Sequence, residues 1–181
     1  MECLPSYEIL YYSNGNIESE HWRQNNQYHR LDGSAYICYF DNGNKRHESW
    51  YQNGMKHRLD RPVVIVYYSN GNKQTESWFR YDKRHSKNTP AIIKYCINGD
   101  KHWESWYQNN KLHRLDGPAY IDYVLNIGKY YYLNGERLTK EQFKQHIDIY
   151  VGCISDELNL YFDDVNLIPI VINYTLSLNA I

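Results

Sequence analysis

Four histidines, His29, His57, His85 and His113, recur at a step of 28 residues. Imidazoles in register are the first residues that would suggest a metal site, but the spacing argues against one. If each unit contributes two strands to a sheet, equivalent atoms stand about 9.6 Å apart, at roughly 4.8 Å per strand. Two imidazoles on one zinc must each approach it to about 2.0 Å. The favoured role is structural, hydrogen bonding near a bend, and neither a metal nor another cofactor is expected. Arg30 with Asp32, Arg58 with Asp60 and Arg114 with Asp116 lie two residues apart, on one side of an extended chain. Ion pairs that fix the bend are the main expectation, with an anion site as the alternative.

A third series couples an acid to an aromatic: Glu20 and Trp22, Glu48 and Trp50, Glu76 and Trp78, Glu104 and Trp106. Aromatic rows at strand spacing are expected to pack across strands. The alternative is a ligand platform, for which a sugar ring suits an aromatic beside a carboxylate, whereas base stacking needs a basic groove. The chain carries no nucleophile elbow, phosphate loop or paired zinc motif, so a catalytic role is not expected.

The elements that must position these residues form a tandem repeat. Asn14-Gly15, Asn42-Gly43, Asn70-Gly71 and Asn98-Gly99 keep the same step of 28, as do Ile9, Ile37, Ile65, Ile93 and Ile121 and the tyrosines Tyr11, Tyr39, Tyr67, Tyr95 and Tyr123. A fixed period of this size marks an array whose units bury their apolar faces against one another. Ala119, Ile121 and Tyr123 alternate onto one face, as Ala91, Ile93 and Tyr95 do, which reads as a strand. The Asn-Gly that follows supplies positive φ for a hairpin. A second strand carries Glu104-Ser105-Trp106-Tyr107 and ends at a second turn, Asn109-Asn110, matched by Asn25-Asn26 and Asn53-Gly54. Pro118 then starts the next strand. A two-residue first loop sets Ile9 opposite Glu20 and a three-residue loop sets it opposite His21; the sequence leaves both open.

The fold expected is mainly β: an elongated single-sheet antiparallel meander of four to five hairpin units over residues 1–138, closed by a mainly helical cap over 139–181. Thr139 and Gln142 make a capping box, Leu138 and Phe143 its hydrophobic staple. Phe143, Ile147, Tyr150, Val151 and Ile154 fall on one helical face. Helix is also favoured over strand for 158–181. Twenty tyrosines and five tryptophans against four phenylalanines suit a half-wet sheet. Twenty Lys plus Arg balance 21 Asp plus Glu, giving no reason to expect nucleic acid. Cys3, Cys38, Cys96 and Cys153 are widely spaced, without a secretory signal or an apolar run of membrane length, so reduced thiols in a cytoplasmic protein are expected.

The string from Trp106 to Ala119, Trp-Tyr-x-Asn-Asn-x-x-His-Arg-x-Asp-Gly-Pro-Ala, resembles the MORN-type repeat variants found in giant DNA viruses, some phages and bacteria. The closing Tyr132-Leu133-Asn134-Gly135 with Leu138 to Phe143 is similar to how such arrays end. The resemblance covers about Tyr7 to Phe143. It implies a hairpin array acting as scaffold or interaction surface, in a viral protein of the host cytoplasm or virion. The partner implied is a protein, self-association included. Because MORN units are ordinarily shorter and richer in glycine, a membrane partner is not carried over, and a glycan or lipid ligand stands as the alternative. The third unit departs from its sisters, with Arg80-Tyr81-Asp82 for Gln-Asn-Gly and His85-Ser86-Lys87-Asn88 for His-Arg-Leu-Asp. A protein contact is accordingly expected at Phe79, Arg80, Tyr81, Asp82 and Lys83, since a deviant turn costs stability unless something compensates for it.

Overall fold

The first turn of each unit begins from glycine chemistry. Gly15, Gly43, Gly71 and Gly99 sit at φ of +85°, +84°, +88° and +94°, which a side chain would make costly. Tyr12 donates its N–H to the Asn16 carbonyl at 2.8 Å, and Phe40 and Tyr68 donate likewise to Asn44 and Asn72. Each loop therefore holds three residues, the glycine last. One extra residue on the returning strand (Glu18, Arg46, Gln74 or His102) then shifts the register as a β-bulge. The bulge moves the pairing by one, so Ile9 faces Glu20 and Ile37 faces Glu48. That is the pairing expected of a two-residue loop, reached here by a longer one.

The computed structural model describes residues 5–58, 61–124 and 128–159, with side chains through residue 151. The first unit holds β1 (Ser6–Tyr11), β2 (Ile17–Gln24) and β3 (Gln27–Tyr28). The second holds β4 (Tyr36–Tyr39), β5 (Lys45–Ser49), β6 (Tyr51–Gln52) and β7 (Met55–Lys56). In the third are β8 (Val64–Tyr67), β9 (Lys73–Ser77), β10 (Phe79–Arg80) and β11 (Lys83–Arg84). The fourth has β12 (Ile92–Tyr95), β13 (Lys101–Ser105), β14 (Tyr107–Gln108) and β15 (Lys111–Leu112). The last holds β16 (Tyr120–Asp122), β17 (Lys129–Leu133) and β18 (Glu136–Leu138), followed by α1 (Lys140–Asn159). One large antiparallel sheet runs β1-β2-β4-β5-β8-β9-β12-β13-β16-β17-β18. Every unit adds its strands beside the previous pair, as a meander requires.

The second strand does not run unbroken into its hairpin, as the sequence suggests. It is continuous only in β2; at Trp50, Trp78 and Trp106 it breaks, and β6-β7, β10-β11 and β14-β15 stand as separate two-stranded hairpins. At these sites the tryptophan N–H reaches across to the next strand, Trp50 to Val63 and Trp106 to Ala119, at 2.9 and 2.8 Å. The hairpins turn through two residues of positive φ, Asn53 (49°) with Gly54 (78°) and Asn109 (49°) with Asn110 (68°) among them, the geometry that follows strand twist most closely. Tyr81 (48°) and Asp82 (60°) adopt the same turn although tyrosine is not a residue that favours it. Successive hairpins are joined edge to edge, as Gly54 N–H to the Tyr28 carbonyl and Asn110 N–H to the Arg84 carbonyl, both at 3.0 Å.

Cross-strand partners share a face, so Ile9, Glu20, Ile37, Glu48, Ile65, Glu76, Ile93, Glu104 and Ile121 form one row across the sheet. Beside it Ala35, Val63, Ala91 and Ala119 are fully buried. The opposite face carries Tyr36, Ser49, Val64, Ser77, Ile92, Ser105 and Tyr120 in one row. At the end of the array the capping box forms in both directions. Gln142 N–H donates to Thr139 Oγ1 at 3.1 Å and Thr139 N–H to Gln142 Oε1 at 2.8 Å. Phe143 is buried with its ring 4.8 Å from that of Tyr131, and α1 lies on β17 and β18. Ile147, Tyr150 and Val151 are half-buried on the same side, and Ile149 is exposed. No helix among the described residues is long and apolar enough to cross a membrane. Cys38 and Cys96 are free thiols. The expected helix beyond Asn159 and the side chain of Ile154 lie outside the described residues, as do Cys3 and the Cys153 side chain.

Removing 139–181 strips Phe143 from Tyr131 and takes α1 off β17 and β18. The truncated protein is expected to form larger oligomers through apolar surface and strand edges, measured by light scattering after gel filtration. A monomer at high concentration would show that the helix does not cap the array.

Candidate functional site

Glu48, Glu76 and Glu104 are buried at 6%, 7% and 5% exposure on the isoleucine face, a placement that a carboxylate tolerates only when bonded. Each takes two partners. Tyr67 donates its hydroxyl to Glu48 at 2.5 Å, Tyr95 to Glu76 at 2.6 Å and Tyr123 to Glu104 at 2.5 Å. Lys45, Lys73 and Lys101 supply ammonium groups at 2.8, 2.6 and 2.7 Å. In the first unit Glu20 accepts from Tyr7 at 2.5 Å and from Tyr39. Tyr39, Tyr67, Tyr95 and Tyr123 each stand one unit ahead of the carboxylate they bond, so the acid ladder stitches neighbouring units together. Burial and the facing carboxylate push the Tyr123 phenol up to about 12, and the Glu20 bond pushes Tyr7 up to about 12. Tyr39, Tyr67 and Tyr95 are also raised, by burial first and the glutamate second.

The tryptophans, expected to pack across strands, also receive arginines from the following bend. Arg30 Cζ lies 4.0 Å from the Trp22 ring centroid, Arg58 3.9 Å from Trp50 and Arg114 3.8 Å from Trp106. Trp22 also has Tyr7 stacked on it at 4.6 Å. The guanidinium is held in place by its own bend. Arg30 and Arg114 pair through Nε with Asp32 and Asp116 at 2.8 and 2.7 Å, while Arg58 and Arg114 donate to the Pro62 and Pro118 carbonyls. Asp60 lies outside the described residues. Gly33 leaves room for the arrangement, because a Cβ there would meet Arg30 Cζ at 2.8 Å.

Two of the histidines, His29 and His113, serve the second turns. Nδ1 of His29 accepts the Asn53 N–H at 3.1 Å, and Nδ1 of His113 accepts that of Asn134 at 3.0 Å. Burial lowers the pKa of His113 and of His47 below the ordinary imidazole value. His57 and His85 do not repeat this bond to the turn. His57 Nδ1 is buried with no hydrogen-bond partner among the described residues, and the Tyr81 ring stacks on the His57 imidazole at 4.6 Å and 15°.

The third unit thus replaces one set of bonds with another. Ser86 stands where the sister units have arginine, and Ser86 Oγ and Thr89 Oγ1 meet at 2.7 Å to close the bend. No cation lies over Trp78 among the described residues. Asp82 Oδ1 accepts the Lys56 N–H at 3.0 Å, as Asn110 Oδ1 accepts that of Arg84 at 2.6 Å. Lys56 Nζ lies 5.1 Å from the Phe79 ring centroid. Tyr81 and Asp82 are therefore tied to the preceding unit, whereas Arg80 and Lys83 face each other across the hairpin, both exposed. This is the part of the expected contact set that the fold leaves free for chemistry outside the chain. On the opposite face of the sheet a shallow trough of about 660 Å³ is bounded by Tyr36, Cys38, Arg46, His47 and Tyr68.

Sequence spacing missed the Tyr-Glu and Arg-Trp contacts, whose partners lie in neighbouring strands or across a bend. The shared absence of arginine and aspartate from the third bend was the available signal. No protein-family model, curated protein or solved structure matches this chain.

Two pH limits follow. A phenol whose pKa is raised on folding stabilises the fold fully below its unfolded pKa of about 10, and the contribution is lost as pH rises towards about 12. Denaturant midpoints should fall across that window, and less steeply in Tyr123→Phe; identical slopes would refute the ladder. His113 has the reverse sign. Its lowered pKa makes neutral imidazole the folded form, so stability is complete above about 6.5 and declines as pH falls below it. His113→Asn should flatten that acid limb. At neutral pH, Tyr95→Phe should cost about 1–3 kcal/mol, because the buried Glu76 loses a donor.

Proposed function

We propose that this chain is a non-catalytic MORN-like repeat scaffold of viral origin, acting in the cytoplasm by binding a protein partner. The observation that carries the reading is the contrast between unit three and its sisters. Elsewhere the groups able to do chemistry are engaged inside the array: Glu48 and Glu104 by tyrosine and lysine, Arg30 and Arg114 by aspartate and tryptophan. Unit three instead offers Arg80 and Lys83 exposed, Tyr81 at 55% exposure and a tryptophan without its arginine. An array whose other units are internally satisfied gives a rigid support for one irregular contact.

A second reading rests on Trp78. An indole face without a cation suits stacking on a sugar ring, so a glycan is the alternative ligand.

The test restores the repeat pattern by Arg80→Gln, Tyr81→Asn and Asp82→Gly in one variant. Asn-Gly relieves the positive φ now held by tyrosine and aspartate, so the melting temperature should rise, by about 1 kcal/mol of stability. Proteins retained from host extract by the natural chain should be lost to the variant. Equal retention would assign the third turn to neutral drift, and glycan-array binding abolished by Trp78→Ala would favour the second reading.

A further inference from the structure

The third hairpin carries an electrostatic conflict. Arg80 and Lys83 are direct cross-strand partners, where the sister hairpins pair Gln24 with Gln27, Gln52 with Met55 and Gln108 with Lys111. Like charges opposite one another destabilise a strand pair. Arg84 and Lys87 are exposed nearby. None of these four cations makes an ion pair among the described residues, although Arg23, Arg30, Lys45, Lys73, Lys101 and Arg114 all do. The bend has also exchanged its carboxylate for Asn88.

A complementary conflict lies at the other end of the chain. From Gln145 to Ile181 the sequence contains no lysine or arginine and five carboxylates: Asp148, Asp156, Glu157, Asp163 and Asp164. Asp156 and Glu157 fall in the last turn of α1, which holds no basic residue. Carboxylates at a helix carboxyl terminus meet the negative end of its dipole. The hairpin therefore sets like charges opposite one another and is net positive even with Asp82, and the sequence 156–164 is net negative.

We propose that the third-unit hairpin, through Arg80 and Lys83, binds the acidic stretch 156–164 of a second copy of this chain. The inference rests on the scaffold reading above and names its partner. A tail-to-hairpin contact is heterologous, since the two surfaces differ, and so it extends from copy to copy instead of closing in a symmetric pair. Being charge-driven, it weakens with salt.

The experiment is sedimentation of the full chain over a range of concentration and salt, with two variants. One is Arg80→Glu with Lys83→Glu; the other reverses Asp156, Glu157, Asp163 and Asp164 to lysine. The natural chain should associate reversibly and dissociate as salt is raised. Each variant alone should associate roughly tenfold or more weakly. Mixed in equal amounts they should associate again, because the natural tail of the first meets the natural hairpin of the second and the two reversed surfaces meet each other. A circular dichroism spectrum like that of the natural chain establishes that each variant is folded. A natural chain that stays monomeric at every concentration overturns the proposal, as does a mixture that fails to associate. A foreign partner still retained by that monomer and lost from the restored-turn variant would leave the scaffold reading standing while removing this one.

Discussion

The array depends on buried carboxylates that their own units cannot fully satisfy. Glu48, Glu76 and Glu104 each sit beside an isoleucine row with a lysine three residues back, and each completes its bonding with a tyrosine from the following unit. A unit cut from the array would keep the acid and lose the phenol. Stability is thus written into the boundaries between units, which is the physical content of a repeat protein as a one-dimensional system of neighbours. The short hydrogen bonds at these boundaries also fix register. A slip of one residue would turn every glutamate to the opposite face.

Register itself comes from two opposed irregularities. A three-residue loop with glycine at positive φ sets one pairing, and a single bulged residue then corrects it so that isoleucine meets glutamate. The bulge also strengthens local twist. Units two and four further break at tryptophan, and there the arginine of the next bend lies over the indole. In the last unit Tyr131 is covered by Phe143 from the helix, an apolar lid in place of a cationic one. The helix therefore continues the array's own packing rule by other means.

Unit three shows how far one repeat can drift while its neighbours hold it. The turn keeps its backbone shape with a tyrosine that disfavours it, because Tyr81 stacks on His57 and Asp82 accepts from Lys56. The cost reappears as a like-charge pair on the hairpin. That pair sets unit three apart from the otherwise regular array.

The sequence by itself determined the period, the two turns of each unit, the alternating strand face and the capping box at Thr139 and Gln142. All of these are local: backbone preferences of Asn and Gly, and side chains spaced two or three apart, are readable without knowing what lies across the sheet. The Arg-Asp pairs at Arg30 and Arg114 were legible for the same reason. What only the tertiary structure decided was every contact between strands. The pairing of Ile9 with Glu20 turns on a bulge of one residue, and period-two alternation cannot reveal where such a residue falls. The bond from Tyr67 to Glu48 and the place of Arg58 on Trp50 follow from that register and from the break at tryptophan. Spacing along the chain says which residues share a strand, but one inserted residue changes which of them meet.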